Sequence, residues 1–185
     1  MLSPDEAWRI LHSAERLVRA AEIDATLQRL AGEIAARIAD RTPLVLTVMG
    51  GAVVFSGHLL PLLAFPLELD YVHVTRYGDT TRGGSLEWKV RPRIPVQGRT
   101  VLVLDDILDE GITLAAIRDG LVAEGAKDVH CAVFADKSIG RSKPIAADFV
   151  GITLPNRYVF GFGMDVHGAW RNLPEIYALS ESNRL

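Results

Sequence analysis

Apolar residues along this chain follow two different rhythms. Up to about residue 40 they are spaced for helices: Leu27, Leu30, Ile34 and Ile38 recur at three- and four-residue steps, the spacing of one helix face. They predict a helix over 24–39, preceded by another over 4–21. Beyond Pro43 the apolar residues become contiguous. LVLTVM (44–49) predicts a strand, Gly50 and Gly51 a turn, and AVVFSGHLLPLL (52–63) a helix. LELDYVHV (67–74) and VLVL (101–104) predict two more strands. ITLAAIRDGLVAEG (112–125) predicts a helix with Leu114, Ile117 and Leu121 on one face and Gly125 as its stop. VHCAVFA (129–135) and ADFVGITL (147–154) read as further strands. Strands that are apolar on both faces and alternate with helices imply an α/β fold, a mostly parallel sheet flanked by helices. Ligands of such sheets bind beyond the carboxyl ends of the strands, in the strand-to-helix loops.

One stretch departs from the alternation. TRYGDTTRGGSLEWKVRPRIPVQG (75–98) is long, polar and rich in basic residues, among them Arg76, Arg82, Lys89, Arg91 and Arg93. Connections of this length in a compact domain tend to be functional lids or hairpin excursions. Two readings follow: a flexible lid over the site, or an exposed hairpin with SLEWKV as one arm.

Composition narrows the class. With 185 residues, 49% of them hydrophobic, the expectation is one domain over 1–185. A formal net charge of -3 argues against a nucleic-acid partner. No apolar run reaches the roughly 18 residues of a membrane span, and the opening residues do not resemble a secretory signal. The expectation is a soluble cytoplasmic protein with no membrane partner. The one cysteine, Cys131, lies in an apolar run and reads as a small core hydrophobe, and the five histidines show no metal-ligand spacing.

The chemistry concentrates in VLVLDDILDEGITL (101–114), where Asp105, Asp106, Asp109 and Glu110 crowd the end of an apolar strand. Neither GxxxxGK[ST] nor GxGxxG spacing is present. Instead Gly111 and Thr113 open a helix, where backbone N–H groups and the helix dipole attract phosphate. Asp105 and Asp106 suit sugar hydroxyls or a hydrated magnesium ion. Asp109 is placed for proton transfer or for stabilising positive charge. Helix-dipole compensation would explain one or two of these carboxylates, but not the adjacent pair, whose repulsion calls for a cation or donors nearby.

Taken whole, VLVLDDILDEGITL resembles the phosphoribosyl-pyrophosphate (PRPP) motif of the type I phosphoribosyltransferases. DKSIGR, DFVGITLPNRYVFGFGMD and WRNLPEIYAL are similar to the end of the hypoxanthine-guanine phosphoribosyltransferases, and the likeness extends from about residue 40 to 180, through VMGG and RYGDTTRGG. The resemblance implies that fold, with a small hood formed by terminal segments, and purine salvage. The phosphoribosyl group would pass from PRPP to N9 of a 6-oxopurine such as hypoxanthine or guanine, with Mg2+ as cofactor.

By the same resemblance Asp105 and Asp106 would contact ribose and the magnesium shell, and Asp165 would reach a magnesium through water. Asp109 would be the general acid/base. The stretch Asp109, Glu110, Gly111, Ile112 and Thr113 would hold the 5'-phosphate. Lys137 would meet the purine O6, Tyr158 would stack on the base and Val159 would offer backbone groups to its edge. Gly50, Gly51 and Arg171 would hold pyrophosphate, Arg76 and Tyr77 would belong to the lid, and the protein would form a homodimer or homotetramer. Met49 stands where the family commonly has Lys, Arg76 where it has Ser, Glu110 where it has Ser or Thr, and Asp105 where this branch often has Glu. Three alternatives stand beside this reading. They are a nucleotide- or PRPP-sensing regulator on the same fold, a transferase for another base such as xanthine, and an unrelated magnesium phosphohydrolase using Asp105 and Asp106.

Overall fold

The structure is a computed structural model that describes residues 2–76 and 86–180, the side chains of Arg76 and Leu86 excepted. In chain order the elements are α1 (Pro4–Ser13), β1 (Glu15–Val18), α2 (Ala20–Ile38), β2 (Leu44–Val48), α3 (Ala52–Leu59), β3 (Glu68–Arg76) and β4 (Leu86–Val90). There follow β5 (Thr100–Leu108), α4 (Ile112–Ala123), β6 (Asp128–Ser138), β7 (Phe149–Pro155), β8 (Val159–Phe160) and β9 (Ile176–Ala178).

The main sheet has the order β4-β3-β2-β5-β6-β7, parallel throughout except for the edge strand β4. Alternation along β2 shows how it is covered. Leu44, Leu46 and Val48 join a core with Leu114, Ile117 and Leu121 of α4, while Val45 between them joins the opposite core with Ile23, Leu27, Leu30, Ile34 and Ile38 of α2 and Phe55 of α3. Both faces are therefore dry at β2, as the contiguous apolar strands predict, while Leu69 and Tyr71 leave one face of β3 exposed. Cys131 is buried in the α4-side core, and burial together with the nearby Asp148 charge pushes its thiol up to about 12. Among the described residues no helix is long and apolar enough to cross a membrane.

Several boundaries differ from the sequence pattern. The helix expected over 4–21 ends at Ser13, after a capping box in which Ser3 and Glu6 exchange hydrogen bonds. Glu15–Val18 is a strand. It pairs antiparallel with β9, Glu15 opposite Ala178 and Val18 opposite Ile176, with Arg16 and Glu175 joined at 3.2 Å. The partner lies some 160 residues away, so pairing outweighs local helical spacing. β1, β9 and β8 make a small second sheet from the two ends of the chain, which is the expected hood. The helix expected over 52–63 gives way at Leu59 to a 3-10 turn containing Pro61.

The stretch 75–98 answers in part to the hairpin reading. β4 lies antiparallel on β3, and Trp88 packs on α4 so closely that a Cβ on Gly120 would stand 2.9 Å from the indole. Arg91 lies 4.9 Å over the Trp88 ring and also pairs with Glu124. Asp70, buried on β3, accepts the N–H groups of Arg93 at 2.7 Å and Ile94 at 3.0 Å. Burial works against its charge, but those donations and one from Tyr71 hold its carboxyl below the usual range. Tyr77 and the rest of 77–85, on which the lid reading rests, lie outside the described residues.

Candidate active site

β2 and β5 are adjacent, and the chain moves from β2 outward to β3 but from β5 outward to β6 and β7 on the other side. A crevice therefore opens beyond their carboxyl ends, the switch point where open α/β sheets bind ligands. Two strand-to-helix loops meet there, one from Met49 to Gly51 and one from Asp109 to Gly111. They line a cavity of about 270 Å³ with Asp105, Asp106, Thr113 and Arg171.

The acidic pair is not in a loop, as the apolar run VLVL suggested. β5 continues to Leu108 because β6 runs beside it, with Asp105 opposite Val133 and Leu108 opposite Asp136. Two successive strand residues point to opposite faces. Asp106 leans over the β2 loop, where a Cβ on Gly51 would lie 1.9 Å from its Oδ2. From the other side Gly163, at φ 101°, presses on Gly51, with its absent Cβ only 2.2 Å from the Gly51 carbonyl oxygen. The Gly51 and Gly163 backbones thus meet at this point against the Asp106 side chain, with no room for a Cβ on either glycine.

Burial pushes both carboxyls up, Asp105 well above the usual carboxylate range with the Asp106 charge adding to the push. For Asp106, hydrogen bonds and the Arg171 charge offset part of the effect. A divalent cation would relieve that repulsion. No three His, Cys, Asp or Glu side chains among the described residues are grouped to hold a metal by themselves, and Asp165 is not gathered into a cluster with Asp105 and Asp106. Magnesium fits such a place, since it prefers one or two carboxylates together with water and ligand oxygens.

A second cavity of about 280 Å³ adjoins the first and shares Asp106, Ile107, Asp109 and Arg171 with it. Lys137, Tyr158, Val159, Met164 and Asp165 complete its wall. Lys137 projects from β6 and donates to Asp109 Oδ2 at 2.6 Å. Tyr158 is half exposed, and burial of its inner part and the Asp165 charge hold the phenol above its usual value, so the ring is neutral. Arg171 binds Asp165 Oδ1 at 2.5 Å and donates to the Gly163 carbonyl at 2.6 Å.

Most of the residues expected from the sequence are therefore brought together. Ile112 is an exception, since its side chain is exposed and lines neither cavity, leaving only its backbone to contribute. Arg76 contributes the end of β3, but its side chain lies outside the described part of the chain. Glu110 pairs with Arg141 at 2.6 Å. Sequence reading missed two residues that support the site. Trp170 donates from Nε1 to the Ala7 carbonyl of α1 at 2.9 Å, and Lys143 lies beneath the Asp109 loop. Lys143 lies in none of the motifs, and Trp170 opens the WRNLPEIYAL stretch but was given no role there.

With this geometry in place, comparison with known proteins is direct. The phosphoribosyl transferase domain family matches residues 13–167. The hypoxanthine-guanine-xanthine phosphoribosyltransferase of Tritrichomonas foetus is 32% identical over 179 residues, spanning 96% of this chain and 94% of that protein. The hypoxanthine-guanine phosphoribosyltransferase of Bacillus subtilis is 33% identical over 170 residues, spanning 91% and 94%. A solved hypoxanthine-guanine-xanthine phosphoribosyltransferase superposes with a TM-score of 0.82 at 32% identity, covering 90% of this chain and 97% of its own. A Staphylococcus aureus hypoxanthine phosphoribosyltransferase shares the fold, with a TM-score of 0.89 at 22% identity and coverage of 96% and 97%. The chain belongs to the phosphoribosyltransferase family, in the branch whose members are named for hypoxanthine and guanine.

Proposed function

We infer that this protein is a purine salvage enzyme that transfers the phosphoribosyl group of PRPP to N9 of a 6-oxopurine, giving the nucleoside monophosphate and pyrophosphate. The observation that most supports this is the position of Asp109, which lines both cavities and touches Lys137. The first cavity suits the sugar phosphate, with backbone N–H groups entering α4 for the 5'-phosphate. The second suits a planar base, with the Tyr158 ring on one side and the Lys137 ammonium for a carbonyl oxygen.

In the reaction the bond from C1 to pyrophosphate oxygen breaks as N9 forms a bond to C1, and the sugar passes through an oxocarbenium-like state. The residues hold both reactants in line and stabilise the separating charges. Asp109 would take the N7 proton of the purine as the base becomes nucleophilic, giving up its contact with Lys137, which turns to O6. Arg171 and the Gly50 and Gly51 backbone would receive pyrophosphate. Magnesium, held at Asp105 and Asp106, would supply charge neutralisation for the diphosphate.

The test is product formation from PRPP and magnesium with hypoxanthine, guanine, xanthine, adenine and uracil offered separately. Xanthine is included because the Tritrichomonas relative is named for it as well. Turnover with hypoxanthine or guanine and none with adenine or uracil is expected. Nucleotide binding without turnover of any base would favour a sensing regulator instead. Asp109→Asn should lower kcat by roughly 100-fold or more, the usual contribution of a general acid/base, and change PRPP binding far less.

A further inference from the structure

The β5–β6 ladder ends at Leu108 opposite Asp136. Just beyond that point the two strands deliver Asp109 and Lys137, whose side chains meet at 2.6 Å in the base cavity. Lys137 stays paired with Leu154 of β7 on its other side, but no β5–β6 ladder pairing ties the Asp109 backbone to it. A buried ammonium takes over. Lys143 Nζ donates to the Leu108 carbonyl at 2.6 Å, to the Lys137 carbonyl at 2.7 Å and to the Asp136 carboxylate. An ammonium has three donors, and here all three are used, on a side chain only 11% exposed.

We propose that Lys143 is the positioning residue of the base site, gripping the peptide ahead of Asp109 and the main chain of Lys137 and so setting the span between the two groups that hold the purine. The proposal rests on the reading of the second cavity as the base site. Its acceptors explain why a point charge on a flexible stem serves here. Two carbonyls and a carboxylate converge on one nitrogen, a geometry that three tetrahedral donors meet and a planar guanidinium does not. The stem also underlies the phosphate loop, since a Cβ on Gly111 would lie 3.4 Å from that of Lys143. At the rim Arg141 and Glu110 tie the same two loops a second time. That pair is exposed, so it adds little to what the ammonium fixes.

Lys143→Met removes the three donors and keeps the stem, whereas Lys143→Arg keeps the charge and loses the convergent geometry. Steady-state kinetics with hypoxanthine and PRPP, and thermal melting, are measured on both and on the wild type. The expected result is a fall of roughly 10–100-fold in kcat/KM for hypoxanthine in both variants, the scale of a misplaced reacting group. The KM for PRPP should stay within about twofold, because both variants keep the stem that packs under Gly111 at the 5'-phosphate loop, and pyrophosphate is held by Gly50, Gly51 and Arg171. Lys143→Arg should melt near the wild type and still fail to recover hypoxanthine kinetics. Recovery of those kinetics along with stability would overturn the proposal, as would an equal loss toward both substrates, unchanged kinetics in a folded Lys143→Met, or failure of both variants to fold. A wild type that turns over no base would instead remove the reading of the site on which the proposal rests.

Discussion

The stretch from Asp105 to Thr113 runs straight out of β5 into α4, and every group it brings to the crevice comes from nine consecutive residues. Across the crevice, the stretch from Gly161 to Arg171 doubles back on itself. It contains three of the four non-glycine residues with left-handed backbone among the described residues: Phe162 at φ 50°, His167 at 51° and Trp170 at 69°. Side chains rarely adopt that region without compensation. Here the compensation comes partly from backbone bonds within the loop and partly from elsewhere in the chain. The Phe162 N–H donates to the Leu173 carbonyl and the Gly163 N–H to the Arg171 carbonyl, both at 2.9 Å. Trp170, one residue from Arg171, is held by α1 through the Ala7 carbonyl and by the edge of Trp8, whose ring centroid is 5.0 Å away. One wall of the site is thus shaped by local backbone geometry alone, whereas the other needs tertiary contact as well.

The sharpest way to break that contrast is to add one methyl group to each wall. Gly163→Ala places a Cβ 2.2 Å from the Gly51 carbonyl oxygen, at φ 101°, where backbone must move to make room. Gly111→Ala, at φ 80°, meets only the side chains of Ile145 at 3.2 Å and of Leu108 and Lys143 at 3.4 Å, which can yield. The expected costs are on the order of 3–5 kcal/mol for Gly163→Ala and about 1–2 kcal/mol for Gly111→Ala, mostly backbone strain. Thermal melts read the difference, at about 2–4 °C per kcal/mol for a chain of this size. Equal losses would mean that both walls depend on their surroundings to the same degree.

The contrast also explains what could be read from the sequence. The α2 face, the buried strands and the sequence of carboxylates, Gly111 and Thr113 are all local patterns, so they were visible. β1, β8 and β9 were missed because strands of two to four residues carry almost no pattern of their own. What defines Glu15–Val18 as a strand is Ile176–Ala178 at the other end of the chain. Arg171 could be named by resemblance, but its supports at Gly163, Asp165 and Trp170 arise only on folding. Lys143 was invisible for a similar reason. Two of its three partners are main-chain carbonyls, which every residue possesses.

A smaller effect tests the tertiary wall alone. Trp170→Phe keeps an aromatic ring against Trp8 and removes the donor to the Ala7 carbonyl. Loss of one such hydrogen bond is worth about 1 kcal/mol, or roughly fivefold in an equilibrium. If α1 shapes the loop that carries Arg171, the KM for PRPP rises by about that factor while the KM for hypoxanthine does not change. An unchanged PRPP KM would show that the loop keeps its form without the helix.

The smallest effect is expected in the local wall, at Glu110, where a carboxylate stands beside the proposed phosphate cradle. Its pair with Arg141 is largely exposed, 40% on the glutamate side and 68% on the arginine side. Exposed pairs contribute about 0–1 kcal/mol, so Glu110→Thr should leave the melting temperature within about 4 °C of the wild type. Its effect on binding has the opposite sign. A carboxylate next to a phosphate dianion costs Coulomb energy, and threonine would supply a hydroxyl donor in its place, so the nucleoside monophosphate should bind a few-fold more tightly, as measured by calorimetry. The gain should shrink with added salt because the site is open to solvent. Weaker binding would mean that Glu110 acts through Arg141 to keep the loop at 138–143 seated against the cradle, and the local wall would then depend on a tertiary contact after all.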